Sequence, residues 1–238
     1  DEAFISLFDF FDKWHWHLDD RMTASGRDIN PDVLGYIFEQ YINDRAQMGA
    51  YYTKEDITEY IGRNTIVPYL MDAVKRKDEK QFRTNSELWL YLKESGDKYI
   101  FDAMKKGVDQ TIPEKIAIGL DTTKPNLLER RCHWNERTPE AFALPTEIWR
   151  ETIERLQRYN NIKEKIIKGE ITDVNDFITY NLNIRQFVTD YLANTQNHLF
   201  VKHFYHALQH VTILDPTCGS GAFLFAALNI LEPLYEVC

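Results

Sequence analysis

Asp215, Cys218, Gly219, Ser220 and Gly221 fall within seven residues of one another, in the run VTILDPTCGSGAFL (211–224). Glycines so placed can take positive φ at little cost and bring main-chain N–H groups against a ligand. A cysteine after a strand can act as a nucleophile when a helix N-terminus favours its thiolate. Three chemistries are therefore open: a phosphate loop, a dinucleotide loop and a reactive-cysteine loop. Each has a spelling that can be checked. A phosphate loop of the G-x-x-x-x-G-K-[ST] kind needs a lysine that this run lacks. A dinucleotide loop needs a third glycine at position 224, and a cysteine loop needs an arginine there to hold an oxyanion. Position 224 is Leu224, which does neither.

The elements that must position these residues follow from the flanks. Val-Thr-Ile-Leu is short, apolar and β-branched, as a fully buried strand of a parallel sheet is expected to be. Asp215-Pro216 ends it. AFLFAALNIL then starts a helix whose free N–H groups and dipole point back into the turn. The carboxyl end of such a strand is where doubly wound α/β proteins bind nucleotide-like ligands. A plain strand–turn–helix connection is the bland alternative; the Asp-Pro and the strand context favour a ligand site.

LDPTCGSGAFL (214–224) resembles motif I of S-adenosylmethionine-dependent DNA methyltransferases that act on adenine N6. The resemblance implies that this loop wraps the methionine part of S-adenosylmethionine. Asp215 would lie near the ligand's amino group, since a carboxylate suits an ammonium. Pro216, Thr217, Cys218, Gly219, Ser220 and Gly221 would form the wall, and Phe223 would pack close to the cofactor. Upstream, MGAYYTKEDITEYI (48–61) is similar to motif X of the same enzymes, which closes over the other side of the methionine end. Tyr52 and Thr53 carry that likeness; Lys54 stands where the family usually has Pro. LGYIFEQYIN looks like the lead-in of large single-chain restriction–modification methylases. About 160 residues separate Thr53 from Asp215, where small family members have a few dozen. ALPTEIWRE and NLNIRQFVTDYL resemble large type II restriction enzyme/methylases and phage-defence methylases.

The rest of the chain reads as helical. Phe4, Leu7, Phe8, Phe11, Trp14 and Leu18 form an aromatic stripe at three-to-four spacing. Asn30-Pro31 is a helix start, and that helix should run to about Asp44. Thr53 with Asp56 is capping-box-like and starts a helix at Lys54. Pro68 should kink or interrupt it. KRKDEK (75–80) reads as a solvated helix end, with a basic contact patch as the alternative. Short helices are expected within 84–120, and a long loop over 121–139. A long helix is expected from Thr146. Its stretch from Arg150 to Lys168 holds six basic and three acidic residues. That stretch is a solvated face or a phosphate-facing surface. Asp173 should cap a further helix, and 184–209 should form a last one. His198, His203, His206 and His210 partly share a face there, but no carboxylate or second ligand pair completes a metal site. Cys132-His133 is poor geometry for two ligands of one metal.

The expected fold is therefore mainly α: a helical N-terminal region (1–80), an inserted helical domain (81–210), and the first βα unit of a Rossmann-like methyltransferase domain (211–238). A lone parallel strand leaves backbone groups unpaired on both edges. This one should pack on the helices, pair with a second copy or be partly disordered.

Composition bounds the class. The chain has 238 residues, 44% hydrophobic and 27% charged, the profile of a soluble globular protein. No apolar run approaches the ~20 residues of a membrane span, and no secretory leader is visible at DEAFISLFDFF. Three cysteines without framework spacing point to a reducing, cytoplasmic setting. A net charge of −9 makes any nucleic-acid contact local or supplied from elsewhere.

The family's catalytic Asn/Asp-Pro-Pro-Tyr/Phe loop stacks on a flipped adenine. No Pro-Pro occurs in this sequence, so no catalytic residue is assigned. An acidic ribose ligand is expected roughly 20 residues past the turn; Glu236 is close in count but reads as helical. The resemblance implies a parent that methylates adenine in double-stranded DNA within a restriction–modification or phage-defence system. Such a parent would contact the DNA mainly through parts outside this chain and work beside restriction or defence subunits. The chain alone is expected to be inactive and to bind cofactor weakly at best. Two rivals stand beside this reading: a helical interaction module without enzymatic activity, and methylation of RNA or protein by the same fold.

Overall fold

A computed structural model describes residues 2–13, 15–16, 28–29, 53–219 and 221–238. The expected helix from Asn30-Pro31, the lead-in and the first part of the motif X-like segment lie outside them. Residues Asp1–Gly62 and Thr212–Leu231 form one compact unit; Arg63–Val211 and Glu232–Cys238 form a second.

In the first unit, α1 (Glu2–Lys13) is amphipathic, with Glu2 at its positive end and Lys13 at its negative end. Two members of its stripe stay at the surface: Phe4 is 65% and Phe8 63% exposed. Where the stripe was expected to continue as helix, β1 (His15–Trp16) pairs in parallel with β2 (Asp28–Ile29). The helix α2 begins in this unit and spans Glu55–Lys77. Thr58 and Ile57 both donate main-chain bonds to Lys54 O at 3.1 Å. The start thus lies one residue past the expected one. Pro68 lies inside α2 without ending it.

The expected strand at 211–215 is not formed, and no Rossmann-like βα unit is present among the described residues. The segment is unpaired, Leu214 is 86% exposed and Ile213 40%. Apolar β-branched residues supply only a propensity. A parallel strand also needs a hydrogen-bonded neighbour, and no described segment pairs with 211–215. The helix of the expected unit does form, as α11 (Ala222–Glu236).

The second unit is a helical body. After α2, a 3₁₀ turn (Glu79–Phe82) leads to α3 (Glu87–Glu94), α4 (Asp102–Lys105), α5 (Glu114–Ala117), α6 (Leu127–Arg130), α7 (Trp149–Lys168), α8 (Val174–Thr179), α9 (Ile184–Asn194) and α10 (His198–His210). One core is aromatic. Phe187 is fully buried among Phe177 (ring centroids 4.8 Å), Tyr99 (5.2 Å), Tyr91 (6.3 Å) and Tyr191 (6.4 Å). Phe200 meets Tyr191 edge-on at 5.0 Å. Aromatic pairs of this kind add to the burial of their large apolar surface. Trp89 satisfies its indole N–H on Phe82 O at 3.0 Å. A second cluster joins Ile116, Trp134, Trp149 and Ile153, and Trp134 Nε1 donates to Ile116 O at 3.1 Å.

Local chemistry sets the helix ends. Asp173 caps α8, accepting from Asn175 N at 2.9 Å, while Asp176 accepts from Asp173 N at 3.1 Å. α7 starts at Trp149 rather than near Thr146, which sits at φ 72 and cannot enter a right-handed helix there. Glu151 instead accepts from Ile148 N at 3.1 Å. Gly169 ends α7 at φ 71. The single helix expected over 184–209 is two. Thr195 leaves the helical region with ψ 142, and Asn197 opens α10 by accepting from Phe200 N at 3.0 Å.

Candidate functional site

The Gly-rich loop is built by its own short-range bonds. Asp215 Oδ1 accepts from Thr217 N at 2.9 Å and from Thr217 Oγ1 at 3.3 Å, closing an Asx turn over Pro216. Gly221 N donates to Cys218 O at 2.8 Å, and Phe225 N donates to Gly221 O at 2.9 Å, which sets the first turn of α11. Gly219 and Gly221 take φ 53 and 85, the region a side chain disfavours. A Cβ on Gly221 would also lie 3.4 Å from the Phe225 ring. The other oxygen of Asp215, Oδ2, is buried and has no hydrogen-bond partner among the described residues.

Of the expected cofactor residues, Pro216, Thr217, Cys218 and Gly219 are exposed, Asp215 and Phe223 are half-buried and Gly221 is buried. Ser220 and Tyr52 lie outside the described residues. Thr53 is half-buried just before α2 and belongs to the same compact unit as the loop. No hydrogen bond among the described residues joins Thr53 to the loop. Glu236, left unassigned in the sequence, is the last residue of α11.

The basic stretch of α7 resolves into partners. Arg155 is buried and donates to Glu147 through Nε (2.8 Å) and Nη2 (3.0 Å). It also reaches Lys106 O (2.7 Å), Phe142 O (2.7 Å) and Met104 O (3.3 Å). Lys163 bonds Asp97 at 3.2 Å, Lys165 bonds Glu170 at 3.1 Å and Lys168 pairs with Glu164 at 2.5 Å. The stretch is therefore largely a paired, solvated face around one buried arginine, with Arg150 and Arg158 left without a carboxylate partner among the described residues.

Sequence reasoning passed over these carboxylates. Burial works to raise the Glu147 carboxyl, but the Arg155 guanidinium and Leu144 N–H outweigh it and hold it below the usual range. The Tyr159 hydroxyl donates to Asp97 and lowers that carboxyl, while burial raises the Tyr159 phenol. A signal was available: Arg155 falls among Thr152, Ile153, Leu156 and Tyr159 on the buried face, where a charge needs a partner. The histidines take up no ligand set. His206 and His210 stack at 4.1 Å, and among the described residues no cluster of His, Cys, Asp and Glu could hold a metal. His133 hydrogen-bonds Glu136 at 2.6 Å. No helix of the described residues is long and apolar enough to cross a membrane.

No family model matches the chain. No solved structure matches it either. A protein of Methanocaldococcus jannaschii, provisionally named a type II restriction enzyme and methyltransferase, is 34% identical over 79 residues. The chain has a restriction–modification relative. The likeness is partial on both sides, covering 31% of this chain and 7% of that protein's length.

Proposed function

We propose that this chain is part of an S-adenosylmethionine-dependent methyltransferase that modifies adenine N6 in double-stranded DNA, in a restriction–modification or phage-defence setting. The observation that carries it is the 214–224 loop, folded tightly ahead of a helix, in a chain with a restriction–modification relative. The loop suits the donor's amino-acid end. Asp215 Oδ2, buried without a partner among the described residues, is an acceptor for an ammonium. Gly219 and Gly221 keep the main chain bare where a ligand must come close. On this reading Pro216, Thr217, Cys218 and Ser220 would complete the wall, Phe223 would pack beside the cofactor, and Tyr52 and Thr53 would close the far side. S-adenosylmethionine, when bound, supplies the activated methyl group. No residue of this chain is assigned to the transfer itself.

Calorimetric titration of the chain with S-adenosylmethionine tests the cofactor site. Binding should be weak, and Asp215→Ala should weaken it about tenfold, the worth of one charge-assisted hydrogen bond. Equal affinity of wild type and variant would remove Asp215 from the site. Transfer of labelled methyl groups by the full-length protein to DNA, RNA or protein tests the acceptor. Label on DNA adenine is expected; label only on RNA or protein would move the reading to those substrates. The helical body of 63–211, with an aromatic core of its own, supports the second reading, an interaction module without enzymatic activity. Absence of methyl transfer to all three substrates would favour it.

A further inference from the structure

The second unit contains a cleft of ≈ 580 Å³, within the range of small-ligand sites. It lies between Lys106, at the end of α4, and the loops 137–140 and 143–147. The cleft is built rather than left over. Its floor includes Glu147, whose carboxylate takes four bonds: two from Arg155, one from Leu144 N (2.9 Å) and one from Thr152 Oγ1 (3.2 Å). Arg155 in turn ties Met104, Lys106 and Phe142 together around it. Glu147 is thus saturated and neutralised, and has nothing left for a ligand cation. Thr146 lines the same cleft at φ 72, a conformation that a β-branched residue takes only when its surroundings impose it.

The free charges of the lining are unequal. Lys106 and Arg137 both line the cleft, and their side chains have no carboxylate, carbonyl or ring partner among the described residues. Against these two cations stands one unpaired carboxylate, Glu140. In a chain of net charge −9, this is a preformed pocket with a local positive excess. Two cations left free beside a rigid floor match an anion with several acceptor oxygens.

We propose that this cleft binds the phosphate of a nucleotide, with Lys106 and Arg137 as its contacts. The phosphate has two sources, the backbone of a nucleic-acid duplex or a free nucleotide. The site does not depend on the methyl-donor reading, since it uses none of the residues assigned to that reading.

The test is anisotropy of a labelled 12-base-pair duplex with the 238-residue chain, together with calorimetry using adenosine monophosphate. Lys106→Gln with Arg137→Gln should raise Kd about tenfold and lower the slope of log K against log salt by roughly 2, one per contact. Glu140→Gln should act in the opposite sense and tighten binding several-fold. Arg150→Gln, an exposed cation not among the residues lining the cleft, should change neither Kd nor slope. Circular dichroism checks that the variants fold, which is expected because neither Lys106 nor Arg137 is buried. If the duplex shows these effects, the source is nucleic acid. If only the mononucleotide does, the site stands with a free nucleotide as ligand. Absence of binding by both, equal affinity for wild type and double variant, or weaker binding by Glu140→Gln would each overturn the proposal.

Discussion

Arg155 shows how one side chain can be misread from its neighbours in sequence. Six cations in nineteen residues suggest a surface for phosphates, yet the one on the apolar face is a buried tie among four segments. Removing it leaves the Glu147 carboxylate, whose side chain is only 14% exposed, without its cation. Arg155→Ala should cost about 3–5 kcal/mol, the range for breaking a buried ion pair. Arg155→Lys should recover little, because an ammonium cannot span both carboxylate oxygens and three carbonyls. Urea unfolding of the two variants measures both. Protonation makes a related demand. Asp97, Asp173 and Glu147 are all held below their ordinary range: by the Tyr159 hydroxyl, by the Asn175 N–H and, against burial, by Arg155 respectively. A depressed folded-state pKa contributes stability that is present above the unfolded value of about 4 and is lost as pH falls through the folded value. The urea midpoint should hold between pH 5 and 7 and drop below pH 4. A midpoint that stays flat to pH 3 would mean these carboxylates are not coupled to folding.

At the scale of elements, two glycines with similar φ make opposite predictions about their surroundings. Gly96 (φ 64) follows α3 with open space where a Cβ would go. Gly107 (φ 82) lies after α4 with the Phe142 backbone 2.8 Å from that position. Both alanine variants strain the backbone, at about 1–2 kcal/mol. Only Gly107→Ala must also push a main chain that Arg155 has fixed through Phe142 O. Its loss should therefore exceed that of Gly96→Ala by at least about 1 kcal/mol in chemical denaturation; equal losses would mean that the Phe142 segment yields freely. Helix ends that depend on one side chain and a nearby N–H, as at Asp173, follow directly from sequence. The break between α9 and α10 depends on Asn197 in the same way, and its capping residue was there to be read.

For the molecule as a whole, the aromatic core of the second unit carries the cohesion. Phe187 is fully buried and touches rings from three other segments, at Tyr99, Tyr91 and Phe177, besides Tyr191 on its own helix. Phe187→Ala should cost about 3–5 kcal/mol and Phe187→Leu clearly less, read from thermal and urea unfolding together. A loss under about 1 kcal/mol would show that the core closes over the gap. Sequence alone determined the features that need only a few consecutive residues. These are the Asp173 cap, the α11 start after Gly221, and the spelling that excludes a lysine, a third glycine or an arginine from the 215–224 loop. Each is closed by bonds between residues at most a few positions apart, so local order suffices. Tertiary structure decided the rest. The segment 211–215 has every local mark of a strand but, among the described residues, no neighbour to supply the ladder. The stripe on α1 has the period of a core helix but Phe4 and Phe8 stay exposed. Arg155, Glu147 and the cleft beside them come together from segments some fifty residues apart. Pairing, burial and charge compensation are properties of which segments meet, and that is set by the packing of the whole chain rather than by any one stretch of it.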